Sequence, residues 1–244
     1  MTAPQVSVIL PVYNEAESLP LLWPELEAAL GALGRPAEVL VVDDGSTDGS
    51  AELVREWQRK DPRVRLVRLG ANCGLTAALL AGFESARGSI IVTMDSDLQY
   101  DPADLVNLVA LVDRHDAALG WRARRQDPWL KRISSRIANR VRTAVLGDDV
   151  RDSACTFRAM RRRCTSAIPP FQGMHRFVPT LLKQAGFRVV EVEVRHRPRQ
   201  HGESKYGVRN RALRAFVDLL AVRWMRSRRV SYRIVEDTGG DDPR

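Results

Sequence analysis

The stretch Ser89-Ile90-Ile91-Val92-Thr93-Met94-Asp95-Ser96-Asp97 decides how this chain folds. Its β-branched and apolar residues predict a buried parallel strand. Two carboxylates follow, one residue apart, at the carboxyl end of that strand, where open α/β sheets bind ligands. They suit a hard divalent cation that completes its shell with water and phosphate oxygens. The plainer alternative is an Asx turn before a helix that begins at Asp101-Pro102.

Two further strand-like runs also end in polar residues. Val39-Leu40-Val41-Val42 leads into Asp43-Asp44-Gly45-Ser46, and residues 6–10 lead into Pro11-Val12-Tyr13-Asn14-Glu15. Helix patterns follow the three runs, at roughly 16–33, 48–59 and 102–114. This alternation predicts a parallel sheet with right-handed crossovers, whose strand ends face one crevice. The sequence contains neither G-x-G-x-x-G nor G-x-x-x-x-G-K-S/T, so a nucleotide bound there would contact carboxylates, a metal and side chains.

In this order, residues 11–15, residues 41–48 and the D-x-D strand resemble the family-2 glycosyltransferases of the GT-A fold. The resemblance implies an α/β, Rossmann-like mixed sheet that is mostly parallel and flanked by helices. It also implies that Asp95 and Asp97 hold Mg²⁺ or Mn²⁺ and the diphosphate of a nucleotide sugar, with Gln99 orienting them. Four residues would line the nucleoside pocket: Pro11, Tyr13, Glu15 and Asp43.

The segment Asp95-Ser96-Asp97-Leu98-Gln99-Tyr100-Asp101-Pro102 resembles the DxDLQxxP signature of polyprenyl-phosphate sugar transferases, the dolichol-phosphate mannose synthase-like branch. Residues 152–158, 174–179 and 195–207 agree with that branch, so the resemblance extends from Val6 to about Arg226. It implies inverting transfer of a sugar from a UDP- or GDP-sugar to an undecaprenyl- or dolichyl-type phosphate. The chain has Ala154-Cys155-Thr156 where the family usually shows glycine nearby, so we expect a different loop path there.

Charge is unevenly distributed along the 244 residues, whose net charge is +8. Residues 1–120 hold 9 Lys and Arg against 18 Asp and Glu, a net of −9, and the remainder holds 29 against 12, a net of +17. This asymmetry indicates an anionic partner for the second half, either nucleic acid or an anionic membrane surface with a lipid phosphate.

Several cations are candidates for binding the acceptor phosphate. By resemblance, Arg122 and Arg132 match positions that meet that phosphate, and guanidinium groups bind phosphate through two parallel hydrogen bonds. Arg132, Arg136 and Arg140 share one helix face by spacing, with Arg142 just beyond. A solvated helix side is the commonest explanation of such a run, and the match of Arg122 and Arg132 to the family positions argues against it. Arg197 and Lys205 are further cationic candidates, grouped with the residues that bind the donor. Asp152 could be a base toward a hydroxyl acceptor, or it could pair with the arginines.

We expect a catalytic domain over residues 1–204, an amphipathic helical segment over 205–235 and a disordered tail over 236–244. The apolar side of that helix could face a membrane surface or pack on the core. No segment reaches the ~20 apolar residues needed to span a bilayer, and the amino terminus lacks a basic leader. We therefore expect a cytoplasmic protein that binds peripherally to the inner face of the cell membrane. An oligomer is possible. Cys73, Cys155 and Cys164 show neither zinc nor disulfide spacing.

Two rival functions stay open at this stage. One keeps the fold but transfers sugar to a glycan hydroxyl, although the Q-x-x-R-W motif of processive enzymes is absent. The other is a basic nucleic-acid-binding protein without catalysis, which would need aromatic stacking positions or a recognition helix. Because the aromatic residues are scattered, we expect no nucleic-acid partner.

Overall fold

A seven-stranded sheet forms the centre of the protein in the computed structural model, which describes residues 3–123, 140–198, 208–228 and 230. The strands are β1 (Val6–Val12), β2 (Ala37–Asp43), β3 (Val64–Arg68), β4 (Ile90–Thr93), β5 (Ala117–Trp121), β6 (Arg158–Arg161) and β7 (Val189–Glu193). The helices are α1 (Leu19–Ala32), α2 (Ser50–Lys60), α3 (Leu75–Ser85), α4 (Asp104–Leu111), α5 (140–146), α6 (Val178–Gln184) and α7 (Val208–Ser227). Short 3₁₀ turns cover Arg162–Ala167 and Met174–Arg176.

The strand order is β3-β2-β1-β4-β6-β5-β7. Within this order only β6 runs antiparallel to its neighbours, because it pairs in that sense with both β4 and β5. The predicted mixed, mostly parallel sheet is therefore confirmed. The carboxyl ends of the six parallel strands and the amino end of β6 lie along one edge, which brings segments from distant parts of the sequence together.

Helices cover both faces of the sheet. The apolar sides of α1, α2 and α4 pack on one face, where Leu26, Val54 and Leu105 are fully buried. The other face packs against α3, α6 and α7. Both faces of the central strands are thus buried, which explains why their sequences are continuous apolar runs instead of alternating patterns.

The three predicted strand–helix units are present, but a fourth unit, β3 with α3, was missed. Strand β3 lies at the edge of the sheet and contains Arg65 and Arg68, so its sequence lacks the apolar run of a central strand. Helix α3 contains Gly82, which weakens a helical signal. Gly82 is required there by packing, because a Cβ at that position would lie 2.5 Å from the Ile9 side chain.

The C-terminal amphipathic helix is present as α7, and it has two different sides. Leu219 and Val222 are buried on the core, while Arg223 and Arg226 donate hydrogen bonds to the last carbonyls of α5. The opposite side exposes Phe216, Val217, Leu220 and Trp224. Both predicted uses of this helix are compatible with that arrangement. Within the described part of the chain, no helix combines the length and apolarity needed to cross a bilayer. The predicted boundaries at 204 and 235 and the predicted tail lie outside the described residues.

Candidate functional site

The ends of β1, β2 and β4 place three of the predicted segments side by side. Val12 stands opposite Asp43 in the β1–β2 ladder, and Ile9 stands opposite Thr93 in the β1–β4 ladder. The segments that follow these strands therefore begin at the same edge of the sheet. Pro11, Asp43 and Asp95 are brought together there, as the sequence predicts.

Hydrogen bonds join the loop after β1 to the loop after β2. The Asn14 amide donates to Ser46 Oγ at 2.9 Å, and the Asn14 side-chain oxygen accepts from the Thr47 amide at 2.8 Å. The Glu15 amide donates to Ser50 Oγ at 2.9 Å, and the Glu15 carboxylate accepts from Ser18 Oγ at 2.8 Å. These bonds hold the two loops together, and Tyr13 in the first loop is half-buried.

The two carboxylates after β2 organise the neighbouring loops. Asp43 is fully buried, accepts a hydrogen bond from the Ser46 amide and forms an ion pair with Arg68 Nε at 2.9 Å. Asp44 accepts hydrogen bonds from the Cys73 and Gly74 amides at 2.7 and 2.8 Å, just before α3 begins. These contacts fix the floor of the crevice beside β1.

Gly45 is required where the loop after β2 turns. Its φ is +75°, in the region that favours glycine, and a Cβ there would lie 2.7 Å from the Ala71 backbone. The loop can therefore approach the segment before α3 closely.

The Asp95–Gln99 segment is held in a strained turn. Ser96 Oγ donates to the Pro11 carbonyl at 2.9 Å, and Asp97 accepts from the Gln99 amide at 3.2 Å. Leu98, which is buried, has φ +63°, an unfavourable value for a bulky residue. Such strain persists only where surrounding contacts impose it, and it concentrates at functional sites. The Gln99 carbonyl accepts from the Arg197 amide at 2.8 Å.

The surroundings of Asp95 perturb its pKa. Burial and the neighbouring Asp97 carboxylate raise the pKa of Asp95 to about 6, although the Thr156 hydrogen bond and the Arg122 and Arg158 charges oppose this shift. A divalent cation between the carboxylates would remove their repulsion. No group of three His, Cys, Asp or Glu side chains that could hold a metal occurs among the described residues. The two carboxylates of Asp95 and Asp97 would suit a cation of the Mg²⁺ type, which binds one or two carboxylates and completes its shell with water and phosphate oxygens.

Arg122 and Asp152 meet at the same edge of the sheet. Arg122 follows β5, and Asp152 lies in the segment that leads into β6. The guanidinium donates to both carboxylate oxygens, and both side chains are about nine-tenths buried. Burial alone would lower the pKa of Arg122, but the bonds to Asp152 and the nearby Tyr100 hold that pKa above its usual value. Of the two roles predicted for Asp152, this geometry favours pairing with an arginine.

Arg158, the first residue of β6, is a site residue that our sequence analysis missed. It is 2% exposed and donates to two main-chain carbonyls, those of Ser153 at 3.0 Å and His175 at 2.9 Å. Its burial lowers its pKa. The signal that could have revealed it is an arginine inside the apolar run from Phe157 to Met160, because a charged residue in a central strand is rarely placed there without a partner.

The remaining predicted cations are placed differently. Arg197 pairs with Glu25 at 2.8 Å and with Asp101 at 3.2 Å, near Gln99. Arg142 is buried, where it pairs with Asp148 and donates to the Val150 carbonyl, so it does not share a solvated face with Arg140. Arg132, Arg136 and Lys205 lie outside the described residues.

Comparison with known proteins identifies related sequences. The sequence profile described as "Glycosyl transferase family 2" matches residues 7–168. A curated protein named undecaprenyl-phosphate 4-deoxy-4-formamido-L-arabinose transferase, from Aeromonas hydrophila, is 40% identical over 205 residues, covering 83% of this chain and 63% of the relative. The protein of the same name from Edwardsiella ictaluri is 39% identical with the same coverage. The chain thus spans 63% of the length of these two relatives.

Solved structures share the fold at low sequence identity. Glucosyl-3-phosphoglycerate synthase from Mycobacterium tuberculosis, in complex with Mn²⁺ and uridine-diphosphate-glucose, superposes with a TM-score of 0.68 at 18% identity, covering 90% of this chain and 79% of that one. A mannosyltransferase from Pyrobaculum calidifontis, in complex with GDP-Man and Mn²⁺, gives 0.60 at 22% identity, covering 95% and 66%. At these identities the likeness shows the fold alone.

Proposed function

This chain belongs to glycosyl transferase family 2, and from that premise we propose that it transfers a sugar from a nucleotide-diphosphate sugar to a polyprenyl phosphate. The observation that carries the proposal is that carboxylates and guanidiniums lie close together at one edge of the sheet. The half-buried Asp95 and the buried Asp97 lie in the same site as the Arg122 and Arg158 guanidiniums, of which Arg122 is about nine-tenths buried and Arg158 is fully buried. Such a site can bind a diphosphate through a cation and a second phosphate through arginine. The names of the two curated relatives support a lipid phosphate as acceptor.

For the donor, we assign the nucleoside to the crevice beside Pro11, Tyr13, Glu15 and Asp43. The hydrogen bonds that join the loops after β1 and β2 support this assignment, because they hold the loops in one fixed arrangement before a ligand arrives. Preorganised loops reduce the entropy lost on binding.

For the cation, we assign Asp95 and Asp97 as the residues that hold Mg²⁺ or Mn²⁺, with Gln99 orienting the turn. When bound, the cation neutralises charge on the departing diphosphate. Asp95 and Asp97 would therefore act by holding the cation beside the diphosphate that departs. Uridine and guanosine donors are both compatible with this assignment.

For the acceptor, we assign Arg122 and, on the resemblance alone, Arg132 as the residues that bind the phosphate, while Arg197 and Lys205 are further cations assigned to the donor. A phosphate monoester has its second pKa near ~6, so at neutral pH it is largely a dianion and already nucleophilic. The reaction then requires no side-chain base, which agrees with the engagement of both Asp152 oxygens by Arg122. Attack by the phosphate oxygen on the anomeric carbon, with departure of the nucleoside diphosphate, inverts the anomeric configuration.

We further propose that α7 attaches the protein to the cytoplasmic surface of the cell membrane, where the lipid acceptor resides. The exposed apolar side of the helix carries Phe216 (47% exposed) and Trp224 (62% exposed), and the exposed Arg228 follows directly after the helix. Apolar side chains that enter the headgroup region and arginines that meet anionic lipids are typical of interfacial helices.

A transfer assay tests the proposed reaction. The protein is incubated with a panel of UDP- and GDP-sugars, Mg²⁺ or Mn²⁺ and short-chain polyprenyl phosphates, and the lipid fraction is analysed by mass spectrometry. We expect one sugar to add to the lipid phosphate and a nucleoside diphosphate to be released. Asp97→Asn is the negative control. Transfer to an added oligosaccharide with no lipid product would contradict the assigned acceptor.

A further inference from the structure

Thr156 lies directly beside the proposed cation site. Its Oγ1 donates to Asp95 Oδ2 at 2.6 Å, in a side chain that is 5% exposed. The antiparallel β4–β6 ladder pairs Ile90 with Arg161 and Thr93 with Arg158. Continuing that register by two residues places Thr156 opposite Asp95. Both residues lie just outside the strands, two positions past the last pair, so the pairing of β4 with β6 brings Thr156 and Asp95 close to each other.

The backbone of Thr156 is fixed on both sides. Its carbonyl accepts from Thr93 Oγ1 at 2.5 Å, and its amide donates to the Tyr100 hydroxyl at 3.3 Å. Both of these partners are buried. A hydroxyl on so rigid a support can hold the Asp95 carboxylate in one orientation, with Oδ2 engaged by Thr156 and Oδ1 available to a cation.

We propose that Thr156 is a positioning residue for Asp95, orienting the carboxylate so that its second oxygen binds the divalent cation. The proposal rests on the function proposed above. It deepens that function by assigning a role to Ala154-Cys155-Thr156, the segment in which the chain departs from the family pattern. Hydrogen-bond partners of metal-binding carboxylates fix the orientation of those ligands, and their loss typically weakens metal affinity about 10- to 100-fold.

A purely structural role would leave metal affinity unchanged. Thr156 would then only satisfy a buried carboxylate, and replacing it would lower stability without altering the cation site. Thr180 offers a matched comparison, because it is also a buried threonine whose hydroxyl donates to a carboxylate, that of Asp148. Neither Thr180 nor Asp148 belongs to the proposed site.

The test measures Mn²⁺ binding directly, from the loss of the free Mn²⁺ signal in electron paramagnetic resonance during titration of the full chain with Mn²⁺ alone. We expect Thr156→Val to weaken Mn²⁺ binding at least about 10-fold and Thr156→Ser, which keeps the hydroxyl, to stay within about threefold of wild type. Thr180→Val should bind Mn²⁺ as wild type does. Urea unfolding in EDTA checks that each variant is folded.

The outcomes separate this inference from the proposed function. If Asp95→Asn loses Mn²⁺ binding while Thr156→Val binds as wild type does, the positioning role is overturned and the metal site stands. If Thr156→Ser is as weak as Thr156→Val, the hydroxyl is not responsible and the inference fails. If the wild-type chain binds no Mn²⁺, or Asp95→Asn binds it normally, the metal site is overturned and this inference with it.

Discussion

Arg122 and Asp152 form an ion pair through two hydrogen bonds, with Nε donating to Oδ2 at 2.7 Å and Nη2 donating to Oδ1 at 3.0 Å. The Arg122 amide also donates to Oδ2, at 3.3 Å. This pair connects the end of β5 to the segment before β6. It fixes the direction of a guanidinium that we assign to the acceptor phosphate.

Asp152→Ala should destabilise the protein by about 3 kcal/mol, because it leaves a buried guanidinium without its counter-charge. Urea unfolding measures the change. In the double variant Arg122→Met/Asp152→Ala, the loss should be clearly smaller than the sum of the two single losses. Additive losses would mean that the two side chains do not stabilise each other.

Addition of Mn²⁺ should stabilise the wild-type chain against thermal unfolding, by about 2.7 kcal/mol at a concentration a hundredfold above Kd. Asp97→Asn should remove most of that gain and abolish turnover while leaving the unfolding temperature in EDTA close to that of wild type. Differential scanning calorimetry with and without Mn²⁺ measures the stabilisation and the unfolding temperature in EDTA, and the transfer assay measures turnover. Equal Mn²⁺ stabilisation of wild type and variant would contradict the assignment of Asp97 as a ligand.

Arg158 should stabilise the charged form of Asp95, because the two groups attract each other inside the protein. Arg158→Met should therefore cost less stability in an Asp95→Asn background than in wild type, with a coupling of about 1 kcal/mol. A double-mutant cycle by chemical denaturation in EDTA measures the coupling. Costs that agree in the two backgrounds would show that Arg158 serves only the Ser153 and His175 carbonyls.

Liposome flotation should show that the protein binds anionic vesicles and that high salt weakens this binding without abolishing it. Salt screens the attraction between the arginines of α7 and the anionic lipids, but it does not weaken the burial of the apolar side chains. The double variant Phe216→Ser/Trp224→Ser should bind markedly less, with a stability change within about 0.5 kcal/mol because both side chains are exposed. Leu21→Ser is the matched control, since Leu21 is 50% exposed on a different helix. Equal losses for both variants would argue against a specific role of α7.

Stability at low pH should depend on Glu38, which lies near the amino end of β2, at the opposite end of the strands from the site. Its burial favours the neutral form, but hydrogen bonds from Ser7, Arg65 and the Arg87 amide outweigh this and lower the pKa of Glu38 below its usual 4.5. Because the folded-state pKa lies below the unfolded one, the contribution is fully present at neutral pH and is lost as pH falls below about 4.5. Glu38→Gln should flatten the acid limb of the stability curve, measured by urea unfolding at successive pH values.

The parallel core and the acidic strand ends could be predicted from sequence because both signals are local. An apolar run followed by Asp43 or Asp95 shows the strand and its functional end in one window. The contacts of Arg122, Thr156 and Arg158 could not be predicted in this way, since they depend on β6 entering the sheet between β4 and β5. Nothing in the local pattern specifies that position, because a four-residue strand fits several places in a sheet. The burial of the Arg142 side chain could not be predicted either, because its partner Asp148 lies beyond the end of α5 and helical spacing does not reveal it.

The position of β6 also governs the order in which the sheet can be completed during synthesis. Among the described strands, β5 pairs only with β6 and β7, both of which come later in the sequence. A nascent chain that has not yet emerged past Arg161 can assemble the four strands β3-β2-β1-β4, but its β5 has no neighbour and the outer side of β4 is an open edge. Unpaired strand edges promote association between chains. Fragments that end before residue 161 should therefore aggregate, even though they contain every residue assigned here to the nucleoside and the cation. The part of the chain that binds the nucleoside thus stays soluble only when β6, which follows the acceptor-binding Arg122, is also present.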